Sequence, residues 1–290
     1  LFKFFFLLIF AKKFMSIFAY IVWNVDPVLV HLGPLQIRYY GILFALGFLI
    51  GYYLFRYFFK KEKVPLTELD KLFWYAILGA VIGARLGHVL FYEPDYYFSH
   101  PLEIFAIWHG GLASHGGAIG LLIALYLYSR KSFNKDYLYI LDRMAIPTAL
   151  AGSFIRLGNL FNSEIYGSPT ELPWGFIFVR DGQTIPCHPT QLYEALAYLL
   201  IFIFLFYLYK KYNGNLPRGL AIGWMFLLTF LARFLIEFIK LPQVGFETNL
   251  INTIGLNMGQ LLSLPFIIVG IWLIIKANKS KKLSIKTKKA

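Results

Sequence analysis

Apolar residues in this chain gather into seven runs, about Leu35–Phe59, Leu72–Tyr92, Trp108–Tyr128, Tyr137–Phe161, Gln191–Tyr212, Arg218–Ile239 and Met258–Ile275. Each approaches the ~20 residues that a helix needs to cross a bilayer. Asp26-Pro27 and Gly33-Pro34 read as turns ahead of the first run. The pattern predicts an all-α membrane protein with seven transmembrane helices. Between the fourth and fifth runs lies a loop, about 162–190, rich in Gly, Pro and polar residues, with a strand-like patch at Gly175–Arg180. It predicts a small head on the helices rather than a separate domain. Residues 15–276 then form one integral membrane domain, and 277–290 a lysine-rich tail. Residues 1–14 show no small-residue cleavage site before Met15 and read as an upstream extension of a chain that starts there.

The charges orient the helices. Arg56, Lys60, Lys61 and Lys63 follow the first run, Arg130, Lys131 and Lys135 the third, and Lys210, Lys211 and Arg218 the fifth. Seven lysines occupy 276–290, after the seventh. The loop Glu93–Ile107 has no Lys or Arg, the long loop has Arg180 alone, and Lys240 alone follows the sixth run. The positive-inside rule puts the N-terminus outside, the C-terminus in the cytoplasm and the head on the extracytoplasmic face. A formal charge of +13 would suit nucleic acid, but with 58% hydrophobic residues its placement fits anionic lipid headgroups. Nucleic acid is therefore excluded as a partner. A lone Cys187 excludes an internal disulfide and, without a Cys or His framework, a metal site.

With this topology the costly polar residues fall in one half of the membrane. Arg85 and His88, Arg156 and Asn159, and Arg233 and Glu237 come late in outward-running helices. Tyr39 and Tyr40, His115, Gln191 and Glu194, and Asn257 and Gln260 come early in inward-running ones. Packing bridges alone would not select one leaflet, so the pattern predicts a polar cavity open towards the outer leaflet. Gly152 to Glu164 (GSFIRLGNLFNSE) is its centre. At 100° per residue it sets Gly152, Arg156, Asn159 and Ser163 on one face. An arginine in mid-span costs about 2.5 to 3.5 kcal/mol. Arg156 is either one half of a packing salt bridge or, as its planar fork favours, an anion site.

The third run reads WHGGLASHGGAIG from Trp108 to Gly120, with five glycines. They suit close helix packing, or irregular backbone beside a cavity. His109 and His115 are six apart, so one helical face does not present both. His115 is the candidate acid/base group, since imidazole titrates near neutral pH. Arg233 and Glu237, at i and i+4, pair with each other or leave donors for a ligand. Glu194 orients the arginines or meets a substrate hydroxyl, and Arg85 is a ligand or a structural partner.

RYYG at Arg38, HGGLASHGG at His109, RLGNLFNSE at Arg156, HPTQLYE at His188, RFLIEF at Arg233 and NMGQLLSLP at Asn257 occur in this order. Together they resemble the bacterial prolipoprotein diacylglyceryl transferases, over Ser16 to Lys276. The resemblance implies a seven-helix enzyme of the bacterial inner membrane. Such an enzyme moves diacylglycerol from phosphatidylglycerol to the lipobox cysteine of a prolipoprotein, forming a thioether and releasing glycerol phosphate. It further implies catalytic roles for His115, Arg156 and Arg233. Tyr40, Asn159, Asn162, Glu164 and Glu237 are implied on the substrate side, and the depth of Arg85 and Glu194 adds these two to them. Ile155 departs from the family, which commonly has glycine there. The partners expected are phosphatidylglycerol, prolipoprotein signal peptides and the bilayer; a monomer is expected, without cofactor or metal. Rival classes are weaker. A transporter should place polar residues in the cytoplasmic half too, and Ser114 and His115 point about 100° apart, which does not make a nucleophile–base pair. A receptor with a buried Schiff base at Lys276 is implausible at the cytoplasmic end of the last helix.

Overall fold

A computed structural model describes residues 20–33, 35–107, 110–131, 133, 136–241 and 253–287, with backbone course alone for 35 and 281–287. The expected extension at 1–14, Trp108, His109, Lys135 and the end of the tail lie outside the described residues. Strands β1 (Ile21–Trp23), β2 (Val28–Leu32) and β3 (Leu35–Arg38) come first. Helices α1 (Tyr39–Lys61), α2 (Thr67–Phe91), a short α3 (Pro94–Ser99), α4 (Ser114–Lys131) and α5 (Tyr137–Phe161) follow. Strand β4 (Phe176–Phe178) precedes α6 (Thr190–Lys211), α7 (Leu220–Ile236) and α8 (Met258–Thr287).

Among the described residues six helices are long and apolar enough to cross a membrane: α1, α2, α5, α6, α7 with its following turn, and α8 as far as Ser280. Helix α4 is not among them; it has 18 residues, with Ser-His-Gly-Gly at one end and Ser-Arg-Lys at the other. Two predicted runs start late. Leu35–Arg38 opens the first run as a strand paired antiparallel with β2, so the helix begins at Tyr39. The third begins at Ser114 because Gly110 and Gly111 take φ of 91° and 69°, which no helix accommodates.

The chain divides into two compact units. The first contains residues up to 49, 146–207 and 223–275. Here α5 lies close to α1 and α6: a Cβ on Gly47 would meet Ala151 Cβ at 3.1 Å, and one on Gly152 would meet Tyr198 at 3.1 Å. Ser153 Oγ donates to the Ala195 carbonyl at 2.8 Å. Helices α7 and α8 pack at Gly223 and Gly270, with Phe230 stacked on Phe266 at 4.2 Å. Above α5, β1 and β4 pair in parallel, and Phe176 exchanges backbone hydrogen bonds with Cys187. Leu160, Phe176, Phe178 and Cys187 form a small core with Trp23, whose indole N–H donates to the Leu160 carbonyl at 2.9 Å. This core lies in the loop expected to form a head, and N-terminal strand β1 joins it; Ile21-Val22-Trp23 suits a strand, but so short a stretch does not name its distant partner.

The second unit contains residues 50–145, 208–222 and 276–290. Its α2 presents Gly79, Gly83 and Gly87 at every fourth position, and α4 presents Gly116, Gly120 and Ala124. A Cβ on Gly83 would lie 2.7 Å from Gly120 Cα, and one on Gly87 would lie 2.7 Å from Gly116 Cα. Two helix backbones therefore touch, which membrane helices achieve through small residues. Elsewhere in this unit Arg143, 1% exposed, donates to Glu62 Oε2 at 2.7 Å and to the Gly214 carbonyl at 2.9 Å. Tyr139 and Tyr209 hydroxyls donate to the same carboxylate at 2.5 and 2.7 Å. Asp142 accepts from the backbone N–H groups of Gly219, Ala221 and Ile222 at 2.7, 2.9 and 3.1 Å, capping α7.

Gly120→Val should be among the most damaging small changes in the chain, since its Cβ runs into the Gly79 carbonyl. Overpacking of this kind costs about 1–3 kcal/mol or more. Thermal unfolding in detergent should show a lower Tm than for Gly41→Ala, whose Cβ meets nothing within 4 Å. Arg143→Ala leaves the largely enclosed Glu62 without its cation, held by two tyrosine hydroxyls alone, and should cost about 3–5 kcal/mol by the same measurement.

Candidate active site

The centre of the site is the end of α5. The Glu164 N–H donates to the Asn159 carbonyl at 3.1 Å and the Ser163 N–H to Leu160 at 3.0 Å, with Ser163 at φ 54°. These two bonds define a Schellman turn. Ser163 thus leaves the helical face predicted for it, and Glu164 folds back over the last turn. Its Oε1 accepts from Asn159 Nδ2 at 2.7 Å and from Asn162 Nδ2 at 3.1 Å. The first turn of α6 pins this reversal: Thr190 Oγ donates to the Ile165 carbonyl at 2.9 Å, and Gln191 Nε2 to the Glu164 carbonyl at 2.7 Å.

Four predicted residues, Arg156, Asn159, Asn162 and Glu164, therefore form one connected group. Tyr40 joins it from α1, its ring filling the space that a Cβ on Gly158 would need, with Glu164 and Arg156 as its charged neighbours. Arg156 Nε contacts Glu194 Oε2 at 2.9 Å, and Arg156 Nη1 donates to Asn159 Oδ1 at 3.3 Å. Glu194 has no exposed surface. Its other oxygen, Oε1, accepts from Lys240 Nζ at 3.0 Å, and the same ammonium lies 3.2 Å from Glu237 Oε2. Glu194 thus orients the arginine, the first of its two predicted roles.

The expected Arg233–Glu237 pairing is not formed. Helix α7 ends at Ile236, Glu237 enters a 3-10 turn (Glu237–Ile239), and Lys240 takes its carboxylate. Arg233 has no hydrogen-bonded or ion-paired partner among the described residues, and its Nε is buried. Tyr198 has both Arg156 and Arg233 as charged neighbours. Asn257 and Gln260 cap α8 reciprocally, Gln260 N to Asn257 Oδ1 at 2.8 Å and Asn257 N to Gln260 Oε1 at 2.9 Å. Asn257 Nδ2 also donates to the Glu237 carbonyl at 3.1 Å, tying α8 to the turn after α7.

Lys240 and Tyr198 were missed from sequence. Lys240 was counted as a loop charge, although its i,i+3 spacing from Glu237 was a legible signal. Tyr198 looked like one more aromatic on an apolar face.

Two predicted residues belong to the second unit. His115 is the second residue of α4 and is exposed. Arg85, which the sequence offers as a ligand or a structural partner, is 4% exposed. Its Nε donates to the Ile104 carbonyl at 2.8 Å, Nη1 to Gly110 and Gly111 at 2.7 and 3.1 Å, and Nη2 to Glu103 and, at 3.3 Å, Ala106. All five N–H donors are used on backbone carbonyls, and the guanidinium also lies over the Tyr97 ring at 4.7 Å. Nothing remains for a ligand; Arg85 holds the loop before α4.

In the head, burial pushes the Cys187 thiol up and the His188 imidazole down from their ordinary values. Tyr166 is pushed up to about 12 by burial and by its hydrogen bond to Asp181. A buried, protonated Cys187 is a poor nucleophile, which leaves it as packing. Among the described residues no group of three His, Cys, Asp or Glu side chains could hold a metal ion.

Helices of this length and apolarity, with ionic clusters buried among them, define a multi-pass membrane protein. A model of the prolipoprotein diacylglyceryl transferase family matches residues 27–276. The chain belongs to that family. It is 49% identical to the phosphatidylglycerol–prolipoprotein diacylglyceryl transferase of Porphyromonas gingivalis over 276 residues, covering 92% of this chain and 98% of that protein. The enzymes of the same name from Chloroherpeton thalassium and Tolumonas auensis are 49% and 48% identical, over 91% and 89% of this chain and 97% and 98% of theirs.

Replacing Arg85 by Gln should free the loop between Glu103 and Gly111 without removing a ligand contact. Hydrogen exchange should rise across that loop, Tm should fall, and KM for lipid should stay near that of the parent at a temperature where both are folded.

Proposed function

We propose that this chain transfers the diacylglyceryl group of phosphatidylglycerol to the lipobox cysteine of a prolipoprotein and releases glycerol phosphate. Family membership over 27–276 supports the reaction. The observation that carries the chemistry is Arg233, a half-buried arginine with a buried Nε and no hydrogen-bonded or ion-paired partner among the described residues, in the unit that also holds Arg156. A membrane protein does not retain an unpaired arginine cheaply, and a phosphate supplies the missing acceptor.

In this reading the acceptor's thiolate attacks the glycerol carbon that bears the phosphate. The C–S bond forms as the C–O bond to phosphate breaks, and the electron pair leaves with the phosphate oxygen. Arg156 and Arg233 stabilise the negative charge growing there, where low dielectric strengthens each contact. Asn159 and Tyr40 hold the headgroup; Asn162, through its unpaired buried Oδ1, accepts a headgroup hydroxyl. Glu164, Glu194 and Glu237 fix the donors in place. His115 takes the thiol proton, since a cysteine of ordinary pKa, ~8.5, is mostly protonated at neutral pH. The nucleophile arrives with the substrate, so the enzyme needs no covalent intermediate.

The membrane frame is part of the proposal. Helix α4 is the seventh span, supported by its glycine contact with α2. The N-terminus lies outside and the lysine-rich C-terminal segment in the cytoplasm, because Lys60 and Lys61, Arg130 and Lys131, and Lys210 and Lys211 close alternate helices. The reaction then takes place towards the outer leaflet of the bacterial cytoplasmic membrane, where an exported acceptor is found.

Purified protein in detergent, given phosphatidylglycerol and a lipobox peptide, should add one diacylglyceryl mass to the peptide. Arg156→Ala and Arg233→Ala, folded by thermal unfolding, should each lose about 10²–10³-fold in kcat. His115→Gln should lose turnover at neutral pH and regain part of it as the peptide thiol ionises at higher pH. Absence of product from folded wild type would overturn the reaction; full turnover by His115→Gln would overturn its assignment as base.

A further inference from the structure

Lys240 has no role in the chemistry above, yet it is largely enclosed within the first unit's ionic cluster. Its side chain is 5% exposed, and its ammonium bridges two carboxylates carried by different elements. One is Glu194 on α6, the other Glu237 in the turn after α7. The backbone around it is fixed as well. Gly167 bridges Lys240, and the Ser168 N–H donates to the Ile239 carbonyl at 2.8 Å. A Cβ on Gly167 would lie 2.8 Å from Thr190 Cγ2, so this strand-like contact leaves little slack.

We infer that Lys240 is the positioning residue that keeps Arg156 and Arg233 available to the lipid phosphate, by holding Glu194 and Glu237 as its own counter-ions. The inference rests on the proposed transferase reaction. A carboxylate can take an arginine in a two-bonded fork. Here Lys240 occupies Glu194 Oε1, and Arg156 meets this carboxylate through Nε on Oε2 alone. The far edge of the guanidinium is thereby kept from its own counter-ion. On the other side Lys240 removes Glu237 from Arg233, the i+4 neighbour it would otherwise pair with.

The charge balance points the same way. The charged groups gathered from α5, α6 and α7 with its turn are Arg156, Glu164, Glu194, Arg233, Glu237 and Lys240, three of each sign. A phosphodiester then meets a neutral cluster with a local excess of positive charge on the two arginines. Without Lys240 the cluster carries one uncompensated negative charge, and both glutamates turn to the arginines. The loss falls on binding of an anionic lipid more than on the later chemical step.

The test is Lys240→Gln and Lys240→Arg beside wild type, assayed in mixed micelles over a range of phosphatidylglycerol mole fractions, with Tm read for each. K240Q should raise KM for the lipid by about tenfold while kcat changes by no more than about threefold. K240R, which keeps charge and reach, should restore KM. A K240Q protein with wild-type KM would overturn the inference. So would a KM deficit that K240R fails to mend, since that marks a packing role. Should K240Q not accumulate folded, Lys240→Met fills the same volume without charge and reads the same KM. Failure of wild type to make product is a separate outcome and counts against the reaction, not against the ion chain.

Discussion

A carboxylate with no exposed surface is costly to bury unless cations compensate it, and Glu194 is such a group. Arg156 on one oxygen and Lys240 on the other do so, and each is drawn from a different part of the chain. That single requirement fixes the ends of three helices at once. It sets the rotation of α5, which must turn Arg156 towards α6, and the depth of α6, which must bury its second turn. It also sets the exit of α7, which must break into a tighter turn so that Lys240 can reach back. The Schellman turn at Ser163 and the reciprocal cap at Asn257 and Gln260 finish the same ends by satisfying their backbone groups locally.

The second unit meets its constraint by contact rather than charge. Helices α2 and α4 approach until glycine backbones touch, and such closeness is useful only where no aqueous hydrophobic effect drives helices together. The same glycine-rich segment supplies, at Gly110 and Gly111, the left-handed backbone that ends the loop before α4. Arg85 then gathers the carbonyls that this irregular course leaves without partners. Packing glycines and turning glycines stand side by side in one motif, which is why sequence left both readings open.

Much of the fold was legible because apolar runs have one physical meaning at this length. Helix α5 matches its predicted bounds at Tyr137 and Phe161, and α6 and α8 match theirs within a residue at the start. What was not legible depended on partners far away in sequence. Strand β1 exists because Phe176–Phe178 lies beside it, and Leu35–Arg38 is a strand because Val28–Leu32 folds onto it. The site residues Arg156, Asn159, Asn162 and Glu164 lie within nine positions, so one helix end and its turn sufficed to group them. Arg143 and Glu62 are 81 residues apart, and neither looked like half of a buried pair.

Donor saturation is what separates the arginines of this protein by task. Arg85 spends every N–H on backbone carbonyls, and Arg143 spends its fork on Glu62 and two carbonyls. Both are deeply buried, and both are closed to a ligand. Arg156 and Arg233 are more exposed and less satisfied, one held by a single contact on Glu194 and a longer one to Asn159, the other by nothing in the described residues. Position in a span does not distinguish the pairs, since an arginine at any such depth must be rare and costly. The distinction lies in who holds the counter-ions: where carbonyls or a carboxylate complete the fork the arginine is structure, and where a lysine has taken the carboxylates away the arginine is left to meet a phosphate.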